Sequence, residues 1–246
     1  MHPLLIKTLS YALIPCSAVV LGGGMALLRP PKAIARSYIQ HFAAGVVFAA
    51  VSVELLPDIM RQHGGHAAML AILGFLLGVV TMLGMKWLTE KLLPREKGGN
   101  LPPFSLIVTV GLDVFIDGLI VGIGFAIGSK EGILLTLALA LEIFFLGLSV
   151  VTALRRSGGK SEQALLVTVA LAGLFALGSA LGAAVLGGVS DSTKEVLLAF
   201  GAVALLYLVT EELLVEAHEE SDPPLATATF FGGFLIILVL QMVNPM

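Results

Sequence analysis

Two aspartates interrupt the apolar stretch GLDVFIDGLIVGIG, which runs from Gly111 to Gly124. Asp113 and Asp117 are four residues apart, a spacing that places both carboxylates on one face of a helix. Glu142 lies near the middle of the next apolar stretch. Carboxylate oxygens are hard ligands that suit Mn²⁺, Mg²⁺ or Ca²⁺, and Zn²⁺ and Fe²⁺ also accept them. Three such groups facing one another would form a site for a divalent cation.

The composition of the chain is that of a membrane protein. Its 246 residues are 57% hydrophobic and 13% charged, and the mean hydropathy is +1.00. A helix needs about 20 apolar residues to cross a hydrocarbon core, and eight such segments use nearly the whole chain. They are residues 4–28, 38–60, 67–88, 104–128, 132–154, 163–189, 196–217 and 225–243. We predict an all-α integral membrane protein with eight transmembrane helices and a single transmembrane domain over residues 1–246.

The fourth and fifth segments place the three acids Asp113, Asp117 and Glu142 near the bilayer centre. Each charge at that depth costs roughly 2.5–3.5 kcal/mol on insertion scales. Lys and Arg lie near the ends of the apolar segments, so they cannot neutralise these acids. Either a bound cation or protons must do so, and we predict that the three acids bind a metal ion. The alternative is that protonated carboxylic acids form hydrogen bonds between helices.

Further acids stand near the ends of the second and seventh segments. We consider them candidates for the entrance and exit of a cation pathway: Glu54 and Asp58 on one side of the membrane, and Glu211, Glu212, Glu216 and His218 on the other. Charges at helix ends are often merely solvated, and we favour that interpretation for Asp58. Glu54 and Glu212 lie deeper in their segments, which favours a role in the pathway.

The second and seventh segments also resemble each other. FAAGVVFAAVSVELLPD, starting at Phe42, matches FGAVALLYLVTEELLVE, starting at Phe200, and the offset that aligns Glu54 with Glu212 is constant. An odd number of helices separates the two starts, so the segments cross the membrane in opposite senses. Inverted repeats are typical of secondary transporters, whose substrate site lies near the midplane. Chance similarity between two apolar helices is the alternative.

The positive charges give the orientation of the chain. Ten of the Lys and Arg residues lie in or beside the first, third and fifth connections, against four on the opposite side. Connections rich in Lys and Arg remain in the cytoplasm. With eight segments, both termini are therefore expected outside.

Together, the phrases FAAGV, ELLPD, DVFIDG, EIFFLG and EELLVEAH and the eight segments resemble the ZIP (Zrt/Irt-like) family of divalent metal transporters. The resemblance implies a bundle with an inverted repeat of the first three and last three helices. It also implies a metal site at HNxPEG-like motifs of the fourth and fifth helices. Asp113 and Asp117 take the positions of the histidine and the acid in the first motif, and Glu142 takes that of the histidine in the second.

The same alignment shows where this chain departs from the family pattern. Val114 and Ile143 stand at the two asparagine positions, and Leu146 stands at the position of one glutamate. The prolines of both motifs are also replaced. A second metal position is therefore expected to be lost, while a single position with carboxylate ligands remains.

We therefore expect a transporter that carries divalent cations such as zinc, manganese or iron into the cytoplasm. The metal is then a transported substrate, and no resident cofactor is expected. The expected location is the inner or plasma membrane of a prokaryote. Membrane lipid and the divalent cation are the expected partners, a homodimer is a further candidate assembly, and no nucleic-acid partner is expected.

Three other functions compete with this hypothesis. A proton-linked transporter of another solute would use the acids as a proton relay. An intramembrane metalloprotease is suggested by the pair Glu211 and Glu212. Such an enzyme needs an arginine near the position of Glu216 and membrane-buried histidines, and the chain supplies neither there; it also lacks an HExxH zinc signature. We therefore expect no enzyme activity. A receptor or scaffold that keeps the fold without transport is the third.

Overall fold

A computed structural model describes residues 3–28, 32–62, 64–92, 103–186, 190–218 and 224–243. These residues contain eight helices that are long and apolar enough to cross a membrane, which confirms the predicted fold class. The helices are α1 (Pro3–Leu28), α2 (Ala33–Ala50, continued by Val51–Leu55 and Leu56–Arg61), α3 (Gly65–Leu92), α4 (Pro103–Ile127), α5 (Ser129–Arg156), α6 (Ser161–Leu186), α7 (Asp191–Tyr207, continued by Leu208–Leu213 and Leu214–Ala217) and α8 (Pro224–Val243). The predicted end of the sixth segment at residue 189 lies outside the described residues.

The connections between helices are short where the site is built. Gly128 alone separates α4 from α5, and its backbone is extended. These two helices are therefore antiparallel neighbours, and they pack against each other. The turn between α5 and α6 contains Gly158 with a φ of 84°, a left-handed conformation that glycine adopts without steric cost.

Helix packing follows an approximate two-fold symmetry. Helix α1 packs against α5, and α6 packs against α4. Likewise α2 packs against α8, and α7 packs against α3. Exchanging α1 with α6, α2 with α7, α3 with α8 and α4 with α5 converts each pair into its counterpart. This is the arrangement that an inverted repeat of the first three and last three helices produces.

The backbone of α2 and α7 shows the same symmetry in finer detail. Both helices change to a π-helix in the middle, over Val51–Leu55 in α2 and over Leu208–Leu213 in α7. The N–H of Leu56 donates to the carbonyl of Val51, and the N–H of Leu214 donates to that of Val209. These are equivalent positions in the sequence repeat. Such π turns are rare and frequently occur at functional sites.

Glycines set the close packing between α4 and α6. Gly118 lies against the carbonyl of Phe175, and Gly178 lies against that of Phe115. A Cβ atom at either glycine would overlap the facing backbone. Small residues at a membrane helix contact allow the backbones to approach in this way. Because Gly118 follows Asp117 directly, this contact also fixes the position of the acids on α4.

We predict that Gly178→Ala destabilises the protein, because the added methyl group must push α6 away from α4. Overpacking of this kind costs about 1–3 kcal/mol. Gly173→Ala in the same helix is the matched control, since a Cβ at Gly173 meets no atom within 4 Å. It should be neutral or stabilising by up to about 1 kcal/mol. Melting temperatures of the two purified variants in detergent test this, and equal melting temperatures would contradict the proposed packing role.

Candidate metal site

The acids predicted from the sequence come together inside the bundle. Helix α4 carries Asp113 and Asp117, and α5 carries Glu142. Glu142 is 2% exposed and Asp117 is 5% exposed. The span formed by α5 is the most buried of the eight candidate spans in the described residues, so it forms the centre of the bundle. Glu142 and Asp117 therefore face other helices, whereas Asp113 is half-buried.

Three carboxylates form a compact group. Asp113, Glu142 and Glu212 each offer one oxygen, and these three oxygens lie within 4.8 Å of one another. Protein oxygens bind divalent cations at about 2.0–2.6 Å, so two ligands on opposite sides of one ion are about 4–5 Å apart. The three oxygens could therefore contact one cation with little rearrangement. Because they come from α4, α5 and α7, such a cation would link three helices.

Several oxygens of these acids are buried without a hydrogen-bond partner. Among the described residues this holds for both carboxylate oxygens of Glu142 and for Oδ2 of Asp117. Buried polar groups are nearly always hydrogen-bonded, because leaving them unsatisfied costs free energy. The orphaned oxygens therefore point to a ligand that binds them, which is either a cation or a proton.

Asp117 lies beside the three-carboxylate group and is not a member of it. It is one helical turn from Asp113, towards the connection between α4 and α5. The helix that carries it, α4, packs against α5, which carries Glu142. The structure thus brings Asp113 and Glu142 together as the sequence predicted, and places Asp117 next to them.

Glu212 belongs to the centre, whereas the sequence analysis placed it in the exit group. It lies in the π-helical part of α7, where the extra residue in the turn changes the direction of the side chains that follow. The sequence repeat could have indicated that Glu212 has a special position, because the repeat makes it equivalent to Glu54. Glu54 also lies in a π turn and is 4% exposed, but it is not part of the three-carboxylate group.

Of the two acids predicted near the end of α2, Asp58 lines a cavity between that end and the start of α7. Asp58 pairs with Arg61 at 3.0 Å. It also lines a cavity of about 420 Å³, which is enough space for a hydrated ion. The other acids in the wall are Glu131, Asp191 and Glu195. Lys194 lies in the same wall and pairs with Asp191 at 2.9 Å.

The remaining candidates lie at the other end of α7. Glu211 pairs with Lys86 of α3 at 2.6 Å. Glu216 accepts a hydrogen bond from the side chain of Gln40 on α2. The ring of His218 contacts the ring of His41, also on α2. Glu216 and His218 thus join α7 to α2, while Glu211 joins α7 to α3.

The fold and the buried acids are typical of a membrane transporter for cations. Eight spanning helices in an inverted repeat enclose carboxylates that have no basic partner among the contacts described above. A comparison with known families gives the same class: the family model described as "ZIP Zinc transporter" matches residues 96–241. The chain belongs to the ZIP family.

Two curated relatives agree with this assignment. The zinc transporter ZIPB of Bordetella bronchiseptica is 30% identical over 241 residues, which cover 92% of this chain and 77% of the relative. The zinc transporter GufA of Myxococcus xanthus is 26% identical over 207 residues, which cover 81% and 70%. Family membership supports metal transport by an integral membrane protein, with the metal as a transported substrate. It also supports a role other than that of an enzyme.

We predict that Glu142→Gln does not destabilise the metal-free protein. The substitution replaces a buried carboxylate that has no hydrogen-bond partner in the described residues, so the melting temperature without metal should stay equal or rise. A ligand that binds only the folded state stabilises it by about 2.7 kcal/mol at 100 times its Kd. Glu142→Gln and Asp117→Asn should lose this metal-induced rise in melting temperature.

Glu162→Gln is the control, because Glu162 is an exposed acid at the start of α6. This variant should keep the metal-induced rise. The measurement is thermal unfolding in detergent with and without Mn²⁺ or Zn²⁺. If Asp117→Asn or Glu142→Gln lowers the metal-free melting temperature and retains the rise, the acids are structural hydrogen-bonding groups.

Proposed function

We propose that this protein carries a divalent metal cation into the cytoplasm through a midplane site of carboxylates. The ligands are Asp113, Glu142 and Glu212, with Asp117 as the adjacent fourth acid. The observation that carries the proposal is that oxygens from three helices lie within 4.8 Å of one another. The unpartnered oxygens of Glu142 support it, because they need a cation or protons.

The proposed ligands come from one repeat and from the two helices between the repeats, which supports a carrier mechanism. Glu212 belongs to the second repeat, while Asp113 and Glu142 lie on the helices between the repeats. In transporters built from inverted repeats, movement of one part against the other exposes a fixed site to alternate sides of the membrane. The same movement here would separate α7 from α4 and α5 and would open the ligand set.

The cation would enter past the acids of the outer cavity and leave past those at the end of α7. Asp58 lines the outer cavity, and Glu54 lies buried between that level and the centre. On the opposite side, Glu216 lies four residues beyond Glu212, towards the end of α7. In the proposed orientation the outer cavity faces the exterior, both termini are outside, and the membrane is the inner or plasma membrane of a prokaryote.

The central ligands restrict the class of metal. All of them offer oxygen, which suits Mn²⁺, and Zn²⁺ and Fe²⁺ also accept it. Both curated relatives are zinc transporters, which supports zinc as one substrate. Val114 and Ile143 are fully buried aliphatic residues beside the acids, so they provide no ligand for a second ion.

We predict that Glu142→Gln and Glu212→Gln both reduce metal uptake at least tenfold, because each removes one ligand of the central group. Glu54→Gln should reduce uptake only a few-fold, since water can replace a pathway ligand near the aqueous side. Uptake of Zn²⁺ and Mn²⁺ into proteoliposomes that contain a fluorescent chelator measures this. Complete loss from Glu54→Gln would show that Glu54 is a ligand of the binding site itself.

The same assay tests the alternative function. A flux that responds to a pH gradient and to no divalent cation would replace metal transport with proton-linked transport of another solute. If Glu212→Gln reduces metal uptake only mildly while Glu142→Gln reduces it strongly, Glu212 is a pathway residue and not a ligand of the central site.

We predict one metal ion between α4 and α5. Val114, Ile143 and Leu146 occupy the positions from which a second ion would need ligands. Anomalous diffraction from crystals grown with Zn²⁺ or Mn²⁺ should show a single peak among Asp113, Glu142 and Glu212. Two fully occupied peaks at bonding distance from shared carboxylates would contradict this prediction.

A further inference from the structure

A hydroxyl group on α4 lies on the same helix face as one of the proposed central ligands. Thr109 precedes Asp113 by four residues, so the two side chains lie one above the other on α4. Thr109 is half-buried as a residue, but its Oγ1 is buried and has no hydrogen-bond partner among the described residues. Thr109 therefore adds a neutral oxygen to the face that carries the acid.

Other hydroxyls in the helices show what is unusual about Thr109. Ser10, Thr136 and Ser179 each donate a hydrogen bond to the carbonyl oxygen four residues earlier. A serine or threonine inside a helix is commonly satisfied in this way. The hydroxyl of Thr109 makes no such bond, and a buried hydroxyl without a partner costs free energy. It therefore points to a ligand that binds it, which is either an ion or a water molecule.

The face of α4 that carries Thr109 is turned towards α7. These two helices pack against each other. Ile120 lies eleven residues after Thr109, which is about three helical turns and nearly the same face. It lines a small cavity together with Leu198 of α7. Asp113, on the same face, meets Glu212 of α7 in the three-carboxylate group. Thr109 therefore lies on the side of α4 where the proposed site is built.

Thr109 also lies on the cytoplasmic side of the central group in the proposed orientation. One helical turn nearer the cytoplasm, Thr109 precedes Asp113 on α4. Glu216, which the proposed exit uses, follows Glu212 by the same number of residues on α7. On α5 the equivalent residue is Leu146, which offers no ligand. Within the three helices that carry the ligands, Thr109 and Glu216 are thus the polar residues at this level.

We infer that the hydroxyl of Thr109 receives the transported cation when the ion leaves the central carboxylates towards the cytoplasm. The inference rests on the proposed function. The hydroxyl oxygen has lone pairs and no charge, so it can take the place of one water molecule in the shell of the ion. It holds the ion less strongly than a carboxylate does. Thr109 therefore eases departure of the ion and contributes little to binding at the centre.

The test compares uptake with binding in the full-length protein. Thr109→Val replaces the hydroxyl with a methyl group of similar size. It should lower the maximum rate of Zn²⁺ and Mn²⁺ uptake into proteoliposomes roughly fivefold, the effect of losing one neutral polar contact. The metal-induced rise in melting temperature should stay unchanged, because all the carboxylates remain. Thr109→Ser keeps a hydroxyl and should restore most of the uptake rate.

Thr8→Val is the matched control. The hydroxyl of Thr8 is also buried without a partner among the described residues, but it lies on α1, which carries no acid. This variant should leave uptake unchanged. Neither valine variant should lower the melting temperature of the metal-free protein, since each removes an unsatisfied polar group.

An unchanged uptake rate in Thr109→Val would overturn the inference. A lower metal-free melting temperature in Thr109→Val that Thr109→Ser does not restore would also overturn it, because Thr109 would then be a packing residue. Loss of the metal-induced rise in Thr109→Val would make Thr109 a ligand of the central group instead, against the inferred role in release. Failure of the proposed function is distinguishable from these results, because Glu142→Gln would then leave metal uptake unaffected.

Discussion

Repulsion among carboxylates that lie close together inside the helix bundle is the constraint on which this structure depends. Oxygens of Asp113, Glu142 and Glu212 lie within 4.8 Å of one another in the centre of a helix bundle. Each charge is costly at that depth, and each raises the cost of the others because the surroundings screen charge weakly. The helices can approach one another only if a cation or protons neutralise the group. If a cation fills this group as proposed, its binding and the closure of the bundle would be coupled.

The inverted repeat places an acid at the same kind of backbone irregularity in both halves. Glu54 and Glu212 each lie in a π turn, and the two turns are closed by hydrogen bonds at equivalent positions. Pro57 follows the first turn, but Val215 occupies the equivalent position after the second. Proline therefore cannot be the common cause of the two π turns. The two turns share an acid followed by two leucines, and each acid lies in the π-helical part of its helix.

Sequence reasoning predicted the spans and the central acids, and it failed where the helix is not an α-helix. Apolar runs predicted eight helices because hydrophobic length alone determines which segments cross a bilayer. The spacing of Asp113 and Asp117 predicted a common face, but four residues also separate them by about 6 Å along the helix axis. A shared face does not by itself bring both carboxylates to one point, and of the two acids Asp113 belongs to the three-carboxylate group. The position of Glu212 depends on a π turn, and helical periodicity of 3.6 residues cannot predict its direction.

The strength of the proposed central site has a consequence for release. A site made of three or four carboxylates in apolar surroundings holds a divalent cation strongly, yet transport requires that the ion leave again. Glu212 comes from α7, whereas Asp113 and Glu142 come from α4 and α5. Movement of α7 away from α4 and α5 would therefore remove one ligand and weaken the hold on the ion. The same movement that opens the proposed site would also favour release.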